Sequence, residues 1–64
     1  MQNVLKDLRL KRGWSQSEIS EKLGISRQSV HAIESGKSDP SLALAFRIAE
    51  LFDLTVEQVF KKPR

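Results

Sequence analysis

The sequence predicts an all-α fold built from five short helices. Apolar residues recur at three- and four-residue intervals along most of the chain, which is the spacing of one helix face. A serine, threonine or asparagine stands before each of these segments, and three of the segments end at a glycine. We therefore expect helices at about 3–12, 15–23, 26–35, 41–52 and 55–60, and no strands.

The first two helices are bounded by residues that can satisfy unpaired backbone groups. Asn3 is placed to cap the first helix, and Gly13 offers the left-handed residue at which that helix can end. Ser15 and Glu18 have the spacing of a capping box, in which each side chain bonds the backbone amide of the other residue. Gly24 stands where the second helix should end.

Three more helices follow from the same kinds of signal. Ser26 can cap a third helix that stops at Gly36, so the second and third helices meet across a short turn. Ser41 precedes a segment that is apolar on nearly all sides, and we expect that helix to be central. Thr55 and Gln58 repeat the capping-box spacing before a short last helix.

The apolar residues of these helices predict one small core. Trp14, between the first two helices, is expected to pack against it. The core residues that we expect are Leu5, Leu8, Ile19, Leu23, Ile25, Val30, Ile33, Leu44, Ala45, Ile48, Phe52, Leu54 and Val59.

Length and composition limit what the protein can be. A chain of 64 residues has room for one domain, expected to span 1–64, and not for a two-domain enzyme. It has no cysteine, so neither disulfides nor a thiolate metal site can support the core. A formal charge of +3 and a pI of about 9.7 favour association with a polyanion. Without a signal-peptide pattern or the roughly 18 apolar residues of a membrane span, we expect a soluble, cytoplasmic protein.

The most informative stretch is WSQSEISEKLGISRQSVHAIESGK, because two capped short helices, a glycine turn and an inward Ile25 occur there in fixed order. Between Gln16 and Lys37 this stretch resembles the helix-turn-helix of the lambda-repressor-like family, which includes Cro and the phage repressors. The most specific parts are the S-Q-x-E-I-x-E-K-L-G-I-S-R-Q-S-V run and the later I-E-x-G-K-x-x-P-S-L. The resemblance extends over nearly the whole chain, and it implies a helix-turn-helix at helices two and three.

In proteins with this motif the second helix of the pair enters the major groove, while the first crosses the phosphate backbone. Arginine can bond guanine, glutamine can bond adenine, and alanine can touch a thymine methyl group. The resemblance implies base contacts from Arg27, Gln28 and Ala32, with Ser29 and His31 as flanking candidates. It implies phosphate contacts from Gln16, Ser26, Lys37 and Ser38.

Asp39 departs from the family pattern, because a basic or neutral residue would suit a phosphate better in that loop. The loop contact is therefore expected to be weaker, or to be turned away from DNA. Arg9 and Glu34 could suggest an active site, but the family resemblance implies a structural ion pair that joins the first and third helices.

The apolar surface of the last two helices predicts a homodimer, since five small helices cannot easily cover it. A two-fold dimer would place two recognition helices about 34 Å apart on an operator with the same symmetry. We expect Leu51, Val56 and Phe60 at the dimer interface; the alternative is that all three complete the core. The basic residues Lys61, Lys62 and Arg64 are expected to be solvated chain ends rather than DNA contacts.

The favoured interpretation is a sequence-specific transcriptional regulator, expected to be a repressor. An antitoxin or a restriction–modification controller with the same DNA contacts stays open, as does a protein-interaction module that has lost DNA binding. No enzyme is expected, because no nucleophile is paired with a base and no phosphate-binding glycine loop occurs. No cofactor or metal is expected either, since His31 is the single histidine and no cysteine accompanies it.

Overall fold

Five α-helices make up the described part of the chain, residues 1–61 of the computed structural model. They are α1 (Leu5–Lys11), α2 (Gln16–Leu23), α3 (Arg27–Glu34), α4 (Leu42–Leu51) and α5 (Val56–Val59). Within these residues the expected all-α fold is confirmed, and β pairing is limited to one isolated antiparallel bridge between Asn3 and Phe60.

Serine and threonine side chains start four of the helices, as the sequence predicts. Both capping boxes form: Ser15 exchanges hydrogen bonds with Glu18 before α2, and Thr55 does the same with Gln58 before α5. The hydroxyl of Ser26 accepts from the third amide of α3, and that of Ser41 accepts in the same way at α4. Each cap satisfies a backbone donor that a helix leaves without a partner.

The first four helices end in the same way. A residue with positive φ follows each of them, and its amide and the next amide both donate to carbonyl oxygens in the last turns of the helix. The three glycines fill this position after α1, α2 and α3, with φ of 71°, 70° and 80°. After α4 the position belongs to Asp53, at φ 57°. An L residue with a side chain is less stable than glycine in this conformation, so Asp53 carries backbone strain.

α1 begins at Leu5, two residues later than the sequence indicates, and the Asn3 side chain bonds both this helix and α3. Its Oδ1 accepts from the amide of Leu5 at 3.1 Å, and its Nδ2 donates to the carbonyl oxygen of Ile33 at 2.8 Å. Asn3 thus joins the start of α1 to the last turn of α3.

The two ends of the described chain pair with each other. The amide of Val4 donates to Val59 at 3.0 Å, and the amide of Lys61 donates to Gln2 at 2.9 Å. This pairing holds Phe60 in an extended conformation, so α5 ends one residue before it. Phe60 is 5% exposed and belongs to the core, so its side chain has little surface to offer at a dimer interface.

The buried apolar residues form one cluster from all five helices and the α5 end. They are Leu5, Ile19, Leu23, Val30, Ile33, Ala45, Ile48, Ala49, Phe52, Val59 and Phe60. The expected core residues Leu8, Ile25, Leu44 and Leu54, together with Trp14, are half-buried and pack against this cluster. α4 places Ala45, Ile48 and Ala49 in this core, while Leu42 and Phe46 on its outer face are 71% and 51% exposed.

Candidate nucleic-acid interface

α2 and α3 pack against each other across a turn made by Gly24 and Ile25. The positive φ of Gly24 lets the amide of Ile25 reach back to the carbonyl of Ser20 at 3.1 Å. A side chain at Gly24 would meet only the end of Arg47 at 3.8 Å, so the backbone conformation and not crowding requires glycine. The turn places α3 against α2 and leaves the polar side of α3 facing outward.

α3 has two sharply different faces. Val30 and Ile33 are 0% and 3% exposed and attach the helix to the core. The side chains for which the sequence implies base contacts lie on the other side: Arg27, Gln28, Ser29 and His31 are exposed, and Ala32 is half-buried. The structure therefore brings these five residues onto one accessible helix surface.

A shallow depression of about 330 Å³ lies beside this surface. Gln28, Ser29 and Ala32 line one side, and residues 38–41 of the loop before α4 line the other. At the start of α3, the hydroxyls of Ser26 and Ser29 lie 2.8 Å apart, and Ser26 is exposed. The capping hydroxyl, the outer face of α3 and the loop thus form one continuous polar surface.

The loop after α3 presents side chains rather than amides. The amides of Lys37 and Ser38 both donate to the carbonyl of Ala32, at 3.0 and 3.2 Å, and so complete the end of α3. The family resemblance implies phosphate contacts from these two residues, and here their amides are already bonded. The side chains of Lys37 and Ser38 are exposed.

Asp39 faces the N-terminal amino group of the described chain. Its Oδ1 lies 3.2 Å from the Met1 ammonium, which also donates to the carbonyl of Gly36 at 3.2 Å. The Asp39 side chain is 58% exposed, so this pair is a weak surface contact.

A buried ion pair joins α1 to α3 behind the exposed face. Arg9 Nε and Glu34 Oε2 are 2.7 Å apart, and the second nitrogen–oxygen contact is 3.2 Å, a two-pronged arrangement. The third Arg9 nitrogen donates to the carbonyl of Trp14 at 2.9 Å. The two side chains are 9% and 4% exposed, so the pair lies in the interior.

Gln16 does not stand alone at the start of α2. Its Nε2 donates to Glu34 Oε1 at 3.1 Å and lies 3.5 Å from Nδ1 of His31. The sequence predicts separate DNA contacts for Gln16 and His31, because residues 15 positions apart show no local pattern that links them. An open pocket of about 290 Å³ surrounds this group and is also lined by Lys6 of α1.

Two positive groups lie over the ring of Trp14, which directly precedes α2. Lys22 Nζ lies 4.7 Å from the ring centroid, and the Arg12 guanidinium lies 5.4 Å from it. The Phe52 ring is 5.6 Å away on the core side. Lys22 is therefore held on Trp14, whereas Lys37 lies in the loop that follows α3.

The remaining candidate residues fall into three groups. Leu51 and Val56 are half-buried, and Lys61 is exposed. Lys62 and Arg64 lie outside the described residues.

Among residues 1–61 no three His, Asp or Glu side chains cluster in a way that could hold a metal ion. None of the helices in that range has the length and apolar run needed to cross a membrane.

A family model described as helix-turn-helix matches residues 5–59. The chain belongs to the helix-turn-helix family. The matched range includes every helix described above, and α2 and α3 form the motif itself. This is a family of regulators and not of enzymes, which agrees with the absence of a catalytic pattern in the sequence.

Helix-turn-helix relatives cover most of the chain. An uncharacterized HTH-type transcriptional regulator of Methanocaldococcus jannaschii is 48% identical over 60 residues, which are 94% of this chain and 91% of that protein. A regulator of the same description, YgzD of Bacillus subtilis, is 45% identical over 60 residues, which are again 94% of this chain and 91% of that protein. A putative HTH-type regulatory protein of Pyrococcus abyssi is 49% identical over 49 residues, which are 77% of this chain but 16% of that protein.

Proposed function

We propose that the protein binds double-stranded DNA in a sequence-specific way and acts as a cytoplasmic transcriptional regulator, a repressor that occupies its operator. The observation that carries this proposal is the division of α3. Its apolar residues are buried, while the residue types that bond base edges lie together on the exposed face. Membership of the helix-turn-helix family supports the same function.

α3 would lie in the major groove as the recognition helix. Arg27 would bond guanine O6 and N7, Gln28 adenine N6 and N7, and the methyl of Ala32 a thymine methyl group. Ser29 and His31 flank these residues. Because Ala32 borders the depression beside the loop, a thymine methyl group would fit against that side of α3.

Phosphate contacts would lie on both sides of the recognition helix. The first amides of α2, near Gln16, have no acceptor within their own helix and can meet a phosphate. Ser26 can donate its hydroxyl hydrogen outward when the Ser29 hydroxyl is the donor of the 2.8 Å contact between the two side chains. On the other side, the side chains of Lys37 and Ser38 supply the contact, because their amides are bonded to Ala32.

A salt titration tests the function directly. Binding of a fluorescent duplex from a randomised pool is measured at rising salt concentration, before and after selection of a preferred sequence. We expect measurable binding at low salt that weakens steeply, because each neutralised phosphate releases counterions. Selection should enrich one site. Absence of binding at low salt would exclude DNA binding and favour a protein-interaction module.

We further propose a homodimer on an operator with two-fold symmetry. Leu51 and Val56 are half-buried at the α4 and α5 side of the molecule and would meet their copies there. Leu42 and Phe46 expose apolar surface elsewhere on α4 and are the rival interface.

Two matched variants separate these interfaces. Val56 and Leu42 each occupy the first position of a helix, where the dipole favours a glutamate. Because Val56 also packs against the core, both variants are first checked for folding by circular dichroism. We expect Val56→Glu to abolish the dimer in sedimentation equilibrium and to weaken operator binding, while Leu42→Glu leaves the dimer intact. The opposite result would move the interface to the outer face of α4.

A further inference from the structure

Four polar side chains form a continuous hydrogen-bonded chain from the interior to the exposed edge of α3. Arg9 bonds Glu34 through two contacts, Glu34 accepts from Gln16, and Gln16 reaches His31. The chain begins at side chains less than 10% exposed and ends at an exposed imidazole. It connects α1, α2 and α3 at one point.

The orientation of the Gln16 amide is fixed by Glu34. A carboxylate held by Arg9 can only accept hydrogen bonds, so the amide nitrogen and not the amide oxygen must face it. The same nitrogen carries a second hydrogen and lies 3.5 Å from His31 Nδ1. Turning the amide over would place its oxygen against the Glu34 carboxylate, which is unfavourable.

The hydrogen on Gln16 in turn determines which nitrogen of His31 is protonated. An Nδ1 that accepts from Gln16 must hold a lone pair, so in the neutral ring the hydrogen is on Nε2. Nε2 is the nitrogen that is left to face outward. His31 therefore presents a hydrogen-bond donor, while Gln16 has both of its hydrogens directed at protein partners.

We propose that Gln16 is a positioning residue that acts on DNA through His31, and that the Nε2 hydrogen of His31 is the group that bonds a DNA acceptor. This inference rests on the proposed DNA-binding function. The acceptor is an oxygen or an unprotonated ring nitrogen: a phosphate oxygen, or O6, O4 or N7 of a base. The exocyclic amino group of cytosine is excluded, since it is itself a donor.

The charges around the ring suit such an acceptor. Lys6 and Arg9 of α1 and Glu34 of α3 line the same pocket as His31, and Gln16 of α2 adds no charge. Glu34 is paired with Arg9, so Lys6 is the unbalanced charge facing the pocket. A DNA acceptor would meet a positive edge there.

A double-mutant cycle distinguishes action through His31 from two independent contacts. Affinity for the selected duplex is measured for Gln16→Ala, His31→Ala and the double variant, with Gln2→Ala as the control for loss of an exposed glutamine. We expect His31→Ala to lose about tenfold, as for one hydrogen bond, Gln16→Ala to lose measurably but no more than that, and the double variant to lose about the same tenfold as His31→Ala. Losses that multiply would overturn the proposal, as would a Gln16→Ala variant that binds like the native protein.

Conservative substitutions of His31 provide a second readout. Glutamine can place a donor near the position of Nε2, whereas the shorter asparagine cannot reach so far. We expect His31→Gln to retain most of the affinity and His31→Asn to match His31→Ala. Equal losses from both would contradict a donating Nε2. A loss on every duplex would indicate a phosphate acceptor, and a loss at one base pair would indicate a base.

The tautomer itself can be measured without DNA. His31 is the single histidine, so the nitrogen-15 spectrum of its neutral ring has no overlap. We expect one tautomer with the hydrogen on Nε2 in the native protein and a mixture in Gln16→Ala. An unchanged spectrum would refute the positioning role. If the native protein fails to bind any duplex while this spectrum changes as expected, the proposed function fails and the internal hydrogen-bonded chain stands.

Discussion

Removal of the Glu34 carboxylate should destabilise the protein more than any substitution on its DNA-facing surface. Arg9 gives three nitrogens to acceptors, and two of those contacts are with Glu34 at 2.7 and 3.2 Å. With the Arg9 side chain only 9% exposed, Glu34→Ala would leave a guanidinium charge in the interior with little access to water. Breaking such a pair from one side costs about 3–5 kcal/mol.

That cost is large for a chain of this size. A domain of 64 residues has a total unfolding free energy of about 3–10 kcal/mol. Urea unfolding followed by the fluorescence of the single tryptophan, Trp14, and by circular dichroism would measure the change. We expect Glu34→Ala to be partly unfolded without urea, and the exposed control Glu57→Ala to change stability by less than about 0.5 kcal/mol.

The double variant Arg9→Met/Glu34→Leu separates stranded charge from lost packing. It removes both charges and keeps most of the volume, so it should recover much of the stability lost in Glu34→Ala. A Glu34→Ala midpoint within experimental error of the native protein would refute the reasoning, because it would mean that water reaches Arg9. A double variant that is no more stable than Glu34→Ala would show that the lost stability comes from the geometry of the pair rather than from an unpaired charge.

Four further outcomes follow from the structure. Gln28→Ala should lower affinity by about 1–3 kcal/mol for the selected duplex and little for random DNA, and equal losses on both in a binding titration would rule out base recognition. Lys37→Ala should weaken all duplexes and flatten the salt dependence, whereas Lys22→Ala, which removes the same charge from the Trp14 ring, should not. Asp53→Gly should raise the free energy of unfolding by about 0.5–1 kcal/mol, because glycine relieves the positive φ. The urea midpoint should rise with it, and a lower midpoint would indicate a stabilising contact of the Asp53 side chain. Phe60→Ala should cost about 3 kcal/mol in unfolding whether or not dimers form, and a loss confined to dimerisation would contradict its place in the core.

The sequence predicts the helix boundaries well because they depend on local chemistry. Ser15 with Glu18 and Thr55 with Gln58 act over three residues, so their pairing can be recognised without knowing the fold. Gly24 ends α2 for an equally local reason.

Long-range partners account for what the sequence could not predict. Asn3 has the residue type of a helix cap, but its main chain pairs with Phe60 and its side chain with Ile33, and neither partner is visible in a local pattern. Gln16 likewise has the residue type and position of a phosphate contact, and only the fold reveals that Glu34 already accepts from it. The residues of the outer α3 face could be named in advance, since helical spacing alone separates them from Val30 and Ile33.

The paired chain ends also bear on how this molecule opens. The amides of Val4 and Lys61 are protected by the same short bridge, so separating the ends exposes both to solvent at once. The opening also removes a support from Asn3, whose side chain holds a carbonyl in the last turn of α3. We therefore expect opening of this bridge to loosen the last turn of the recognition helix before it affects the turn between α2 and α3, which takes no part in these contacts.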